Sequence, residues 1–318
     1  MAGIAGSIDL GGTTTSCAIA TADGRILSER TIETLSPEGP EGVLRRIAGA
    51  LGEAAAEAGA RPEAIGLGVP GLVDIAGGRT LFLPNLPTQW RNVPAAAILG
   101  AHFRCPVYLL NDVRAAALGE LTFGAGKDVR NFVFFALGTG IGGGVVIDGK
   151  LRLGPLGAAG ELGHQTIIPD GPLCGCGNRG CLETLASGSA LVGEGVRLLR
   201  SGMAPRLHAL VGGDAGAVTP KEIAAAAEAG DEPLRAAIER MAGYLGIGVA
   251  NIVTALHPEL VVLGGGVAAI GPLLGGVREA VRRRVRMFPA DEVRIERSAL
   301  GDKAGIFGGI ALARNRGA

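Results

Sequence analysis

NFVFFALGTGIGGGVVIDGKLRLG (131–154) repeats the plan of SIDLGGTTTSCAIATADGRILSERTIET (7–34). In both, an apolar strand runs into a turn of glycine and threonine, a second strand leads to an Asp-Gly turn, and a third strand follows. The intervals Leu10–Asp23 and Leu137–Asp148 differ by only two residues in length. A duplicated opening of this kind predicts two similar halves, each starting with a β-hairpin, that face one another across a cleft. Working outward from the first hairpin, 38–59 reads as a helix, with Leu44, Ile47, Leu51 and Ala55 at helical spacing. AIGLGVPG (64–71) reads as a strand ending in a Pro-Gly loop, VPAAAILGAHF as a helix, PVYLLND (106–112) as a strand and VRAAALGELTFG as a helix. After the second hairpin come helices KEIAAAAEAG and PLRAAIERMAGYLGIGVANIVTALHP, strand ELVVLGGGV, a helix over 271–287, strand EVRIERS and a closing helix KAGIFGGIALAR. Strands alternating with helices predict an α/β protein with a mostly parallel or mixed sheet. The segment 155–190 has few periodic signals.

Composition removes several functional classes. Lys+Arg and Asp+Glu both number 30, so nothing electrostatic points to nucleic acid or a membrane surface. Arg278, Arg282, Arg283 and Arg284 fall on a short amphipathic helix and read as a solvated face. The start, MAGIAGSIDLGG, lacks a basic region followed by an apolar run, and the uncharged stretches 131–147 and 241–256 are glycine-interrupted and short. The expected location is cytoplasmic, where thiols stay reduced. Glycine is the outlier at 55 residues, clustered at LGGT (10–13), LGTGIGGG (137–144) and LGGGV (263–267), each after a strand-like run.

The glycine turns DLGGTTT and LGTGIGGG offer consecutive backbone N–H groups and hydroxyls at strand ends, which suits phosphate oxygens. Neither is a Walker A or a Rossmann turn, since Gly-Lys-Ser/Thr is absent and each turn leads into a strand. Asp9, just before the first turn, is placed to hold Mg²⁺ through water while Thr13 and Thr139 touch phosphates. In LLNDVRAAALGE, Asn111 and Asp112 stand where a strand ends and a helix begins. Two readings are open: Asp112 is the helix N-cap, or the pair binds a polyol and Asp112 deprotonates one hydroxyl.

LCGCGNRGCLE (173–183) holds Cys174, Cys176 and Cys181, and His164 precedes them by ten residues. Five cysteines in a reducing compartment make no disulfide framework, and the C-x-x-C of redox centres is missing. One histidine and three cysteines do make a Cys₃His set of the kind zinc binds tetrahedrally. Four protein ligands leave no open position, so such a zinc is structural. Glu161 and Glu183 flank the set, either as ordinary surface or cap residues or as acceptors for sugar hydroxyls on a loop the metal fixes. His164 can use one ring nitrogen for metal and the other for a hydroxyl. His102, His208 and His257 have no partners at useful spacing and read as structural or solvent-facing.

Taken together, these residues resemble the ROK family, which groups bacterial sugar kinases with sugar-responsive repressors. The resemblance runs nearly the full chain. DLGGT is similar to the family's first phosphate motif, LNDVRAAALGE to its catalytic segment and LGTGIGGG to its second phosphate motif. GELGH and CGCGNRGCLE are similar to its zinc signature, and LVVLGGGV to its adenosine-side glycine motif. The resemblance implies an actin-like (ribonuclease-H-like) duplicated α/β fold of two lobes around a central ligand cleft. The expected lobes are 1–119, with the closing helix 302–318 packed back on it, and 120–301, with the zinc-binding loop 161–183. It also implies ATP-dependent phosphorylation of a hexose at its 6-hydroxyl, with Asp112 as general base and Mg²⁺ accompanying ATP. The implied sugar contacts are Asn111, Asp112, Glu161, His164 and Glu183, joined by Gly71 and by Asn85 in LPNLPTQW. The implied nucleotide contacts are Asp9, Gly11, Gly12, Thr13, Thr14, Gly138, Thr139, Gly140, Gly142, Gly264, Gly265 and Gly266.

FLPNLPTQW with the intact zinc loop most resembles the glucokinases of the family, which makes glucose the expected acceptor. N-acetylmannosamine, N-acetylglucosamine, fructose and allose are the alternatives within the enzyme class. Many members carry Lys where this chain has Thr14, so the backbone cradle is expected to serve the phosphate there. The rival reading is a sugar-sensing regulator. Asp9 falls too near the start for a preceding helix-turn-helix, and no basic patch marks a DNA reader, so the enzyme is favoured. A homodimer or a dimer of dimers is expected on the resemblance alone.

Overall fold

The computed structural model describes residues 3–84 and 86–317. The chain forms β1 (Ile4–Leu10), β2 (Thr14–Thr21), β3 (Ile26–Glu33), α1 (Gly39–Ala58), β4 (Ala64–Val69), β5 (Leu72–Asp74), β6 (Arg79–Phe82), α2 (Ala95–Phe103), β7 (Val107–Asn111) and α3 (Asp112–Phe123). It continues with β8 (Phe132–Leu137), β9 (Ile141–Ile147), β10 (Lys150–Leu151), α4 (Glu183–Ala186), α5 (Gly188–Arg200), α6 (Pro205–Val211), α7 (Pro220–Glu228) and α8 (Glu232–Leu256). It ends with β11 (Leu260–Gly264), α9 (Leu273–Arg284), β12 (Arg294–Arg297) and α10 (Ala304–Asn315).

The duplication read from the two hairpins is present in the sheets. One has the order β3-β2-β1-β4-β7 and the other β10-β9-β8-β11-β12, which is the same arrangement element for element. In the first, β1 pairs antiparallel with β2 and parallel with β4, and β4 pairs parallel with β7. In the second, β11 lies parallel to both β8 and β12. Central strands β4 and β11 are buried along nearly their whole length, and β4 lies between helices α1 and α10. Against the first sheet, Leu44, Ile47 and Leu51 of α1 meet Ile8, Leu10, Ile65 and Leu67 on one side. On the other side, Ile306, Ile310 and Ala313 of α10 meet Ala5, Ala18 and Ala20.

The chain divides into two compact units. One comprises Met1–Arg130, Gly144–Gly160 and Asp302–Ala318; the other comprises Asn131–Gly143 and Glu161–Gly301. This differs from a division at 119/120. Residues 120–130 stay with the first unit because α3 continues to Phe123 and the turn after it bonds back to Glu120. Residues 144–160 join it because Leu151 and Leu153 pack on the cluster of Leu110, Leu118 and Leu312.

Five elements have no counterpart in the sequence reading: β5 and β6, which form a hairpin, and α4, α5 and α6. α5 carries Gly188, Gly193 and Gly195, which weaken its helical signal. Its Ser187 cap, which accepts the Ala190 N–H at 3.2 Å, and its buried Leu191, Leu198 and Leu199 form it nonetheless. The arginines of α9 are partnered: Arg278 donates to the Ile295 carbonyl at 2.9 Å and Arg282 to Asp291 at 2.9 Å.

Candidate active site

In the first unit, the candidate residues gather where parallel strands end. β1 places Asp9 in register with Gly68 of β4, and β4 in turn sets Val69 beside Asn111 of β7. The turn after β1 is closed by the Gly11 N–H on the Thr14 carbonyl at 3.0 Å. Thr34 anchors it from below, its hydroxyl donating to the Gly11 carbonyl at 2.8 Å. Gly12, Thr13 and Thr14 are left exposed at its tip.

Asn111, not Asp112, caps α3. Its Oδ1 accepts from the N–H groups of Val113 at 3.1 Å and Arg114 at 3.2 Å. The capping reading of Asp112 is therefore wrong, because the backbone turns into the helix one residue earlier. Asn111 Nδ2 donates to the Gly71 carbonyl at 3.3 Å, which leaves Asn111 one N–H for a ligand. Asp112 is the first helical residue, and its Oδ1 accepts from the Val113 N–H at 2.9 Å.

The Asp9 carboxylate and the Asp112 backbone both approach Gly68. A Cβ built there would lie 3.4 Å from Asp112 Cα and 3.7 Å from Asp9 Oδ1. Burial pushes Asp9 up to about 6. Burial, with the charge of Asp9 adding to it, pushes Asp112 up to about 7. The influence runs one way: the charge of Asp9 raises Asp112, whereas burial alone raises Asp9. A residue that sequence reasoning missed sets one side of this pocket: a Cβ at Gly305, in the first turn of α10, would collide with the Asp9 carboxylate. The available signal was the spacing of Gly305, Gly308 and Gly309 on one helix face, which marks a close approach.

In the second unit, the turn Gly138–Thr139–Gly140 joins β8 to β9, with the Gly138 N–H on the Gly140 carbonyl at 3.0 Å. Beside it, β11 ends at Gly264. Gly265 (φ 83°) then turns the chain, and a side chain there would collide with the Leu137 carbonyl. Gly142 lies within β9, outside the turn itself.

The cysteines form a knuckle. The Cys174 N–H donates to the Asn178 carbonyl at 2.7 Å, and the Gly177 N–H to the Cys174 carbonyl at 2.9 Å. Ligand atoms of His164, Cys174, Cys176 and Cys181 all lie within 4.8 Å of one another. Cys176 and Cys181 sulfurs are 3.7 Å apart, and Cys174 Sγ is 3.6 Å from His164 Nδ1. A disulfide requires about 2.05 Å. A tetrahedral zinc with bonds of about 2.3 Å to sulfur spaces its sulfurs about 3.8 Å apart, so the set fits that ion. Burial pushes the Cys181 thiol up to about 12, while the Asn178 backbone N–H lowers Cys176. A bound cation would reverse the first of these. His164 turns its Nε2 to Glu161, 3.8 Å from Oε2.

Glu183 opens α4 and reaches back. Its Oε2 accepts the Ile141 N–H at 2.9 Å, and its Oε1 lies 3.9 Å from Cys174 Sγ. Asn85 lies outside the described residues. His102, His208 and His257 belong to neither cluster; His257 pairs with Glu292 at 3.6 Å. A cavity of about 640 Å³ lined by Arg61, His102 and Arg104 lies between the ends of α1 and α2 and includes none of the candidate residues.

Duplicated sheets of identical order, each with a glycine turn leading off its first strand, define an actin-like ATPase fold. The chain belongs to the ROK family, whose sequence profile matches residues 5–316. A glucokinase of Thermotoga maritima is 38% identical over 313 residues, covering 97% of this chain and 96% of that relative. A xylose repressor of Caldicellulosiruptor bescii is 36% identical over 293 residues, covering 91% of this chain and 72% of the repressor. The crystal structure of a ROK family glucokinase from Streptomyces griseus, in complex with glucose and AMPPNP, superposes with a TM-score of 0.85. The two are 35% identical, with 99% of this chain and 100% of that one covered.

Proposed function

We propose that this ATP-dependent hexose kinase phosphorylates glucose at its 6-hydroxyl, giving glucose 6-phosphate. The observation that carries the reading is the division of labour between Asn111 and Asp112. Because Asn111 caps α3, the Asp112 carboxylate is available to substrate, and burial beside Asp9 holds it at about 7. A base poised near the working pH accepts a proton most effectively.

In the proposed reaction, the glucose 6-hydroxyl loses its proton to Asp112 as O6 bonds to the γ-phosphorus, and the β–γ bridging P–O bond breaks to release ADP. Asn111 gives its remaining N–H to a neighbouring hydroxyl, and Gly71, Glu161, His164 and Glu183 supply further sugar contacts. The turns 11–14 and 138–140 and the glycines 264–266 hold the nucleotide. Mg²⁺ entering with ATP would offset the charge of the transferring group, and Asp9 would hold it through water. A zinc ion on His164, Cys174, Cys176 and Cys181 would be structural and would fix the loop that presents Glu161 and Glu183.

The identity with the Thermotoga and Streptomyces glucokinases supports glucose. A panel of glucose, N-acetylmannosamine, N-acetylglucosamine, fructose and allose in a coupled ADP-release assay tests it, and glucose should have the highest kcat/KM. The xylose repressor likeness favours a second reading, a sugar-responsive regulator. That reading would be upheld by saturable sugar binding with no ADP release from any sugar. We further propose a homodimer or dimer of dimers in the cytoplasm, a reading that sedimentation and cell fractionation test. Among the described residues no helix is long and apolar enough to cross a membrane.

A further inference from the structure

We infer that the cysteine-rich loop positions the phosphate turn 138–141 as well as the sugar contacts, and that Glu183 is the strut between them. The inference rests on the reading of that turn as a nucleotide site. Apart from its own Gly138–Gly140 bond, the turn is held by segments that bracket the cysteines. From one side, a Cβ at Gly163, the residue before the ligand His164, would collide with the Ile141 carbonyl. From the other, Glu183, two residues beyond the ligand Cys181, accepts the Ile141 N–H at 2.9 Å. The Glu183 carboxylate also fills the space where a Gly140 side chain would stand. Immediately after α4, the Gly188 N–H donates to the Gly138 carbonyl at 2.8 Å and the Ser189 N–H to the Thr139 carbonyl at 3.3 Å.

The physical consequence follows from the composition of both segments. A turn of two glycines around a threonine has many unfolded conformations. Its N–H groups bind phosphate well only if something else fixes them beforehand. That something is a stretch with little regular structure of its own, 161–182, whose order depends on the Cys₃His set. A carboxylate is a poor electrostatic neighbour for phosphate, so its place at Gly140 needs a positional reason, and the Ile141 bond supplies one. Glu183 is thus a positioning residue for nucleotide, whatever contact it also makes with sugar.

The test is calorimetric titration of the full chain with a non-hydrolysable ATP analogue and Mg²⁺, without sugar, alongside zinc analysis of each variant. Glu183→Ala should weaken the analogue about tenfold or more, the scale of a lost hydrogen bond to a charged group, while zinc stays stoichiometric. Glu183→Gln keeps an oxygen for the Ile141 N–H and should stay within about threefold of the parent on the same scale. Gly140→Ala, which evicts the carboxylate without removing it, should weaken the analogue like Glu183→Ala. It also carries the test should the latter not fold. Unchanged analogue affinity in Glu183→Ala or Gly140→Ala, or equal losses in Glu183→Ala and Glu183→Gln, would overturn the inference. Because no turnover is read, failure to phosphorylate glucose would sink the glucose reading alone, whereas absence of nucleotide binding in the parent would overturn this one.

Discussion

Asp9 and Glu183 occupy matching positions in an unexpected sense: each fills the space of a missing side chain, Asp9 at Gly305 and Glu183 at Gly140. Their surroundings differ. Among the described residues no hydrogen bond is donated to the Asp9 carboxylate, and burial alone pushes it up to about 6. Asp112, raised to about 7, shares that poorly solvated corner. Glu183 instead takes a backbone N–H and sits against a thiol of the cysteine knuckle. The contrast separates two uses of a carboxylate. Where burial outweighs the donors present, none at Asp9 and the Val113 N–H at Asp112, the proton becomes exchangeable near neutral pH and the group can do chemistry. Where a donor is supplied, the group becomes a fixed point that holds other atoms in place.

The comparison breaks first at Asp112. Asp112→Asn should lower kcat by about 10²-fold or more, the usual loss with a general base, with glucose KM little changed; steady-state assays give both numbers. Cys176→Ala attacks the positional half. It should lose the metal and most activity together, because the loop carrying Glu161 and Glu183 slackens, and elemental analysis alongside the assay checks the pairing. Gly305→Ala sharpens the first half. The added methyl meets only Asp9 atoms as its nearest neighbours, so the carboxylate must move, and thermal unfolding should show a loss of stability. In an Asp9→Ala background the same change should stabilise instead, since alanine exceeds glycine in a helix by about 1 kcal/mol.

The smallest expected effect is on stability against pH. Asp112 is raised in the folded state, so its protonated form favours folding. The stability it contributes is full below the ordinary carboxylate range and is lost as pH rises towards about 7. Asp112→Asn should therefore melt a few degrees higher than the parent at pH 8, and the gain should shrink by pH 5. An equal gain at both values would refute the burial argument.

Much of this was legible in the chain because the signals are local. The two hairpins show in the match of 7–34 with 131–154, α1 in Leu44, Ile47 and Leu51, and the metal set in the spacing from His164 to Cys181. What escaped depends on distant or degenerate information. Gly305 meets Asp9 across nearly the whole chain, and no local pattern links them. Asn111 and Asp112 are both good caps, and only the backbone path decides which one serves. Leu151 and Leu153 join the first unit through packing on α3 and α10, which strand-like spacing does not reveal. The bond from Ile141 to Glu183 likewise spans 42 residues and an irregular loop.

The rate of glucose phosphorylation against pH tests the central claim most directly, because it reads the Asp9–Asp112 pair in the working protein. The account predicts that kcat/KM of the parent falls on the acid side with an apparent midpoint between about 6 and about 7, as protonation removes the base. Asp112→Asn should lose that limb along with most of its rate. A midpoint in the ordinary carboxylate range near 4, or an Asp112→Asn variant that keeps both the limb and the rate, would contradict it.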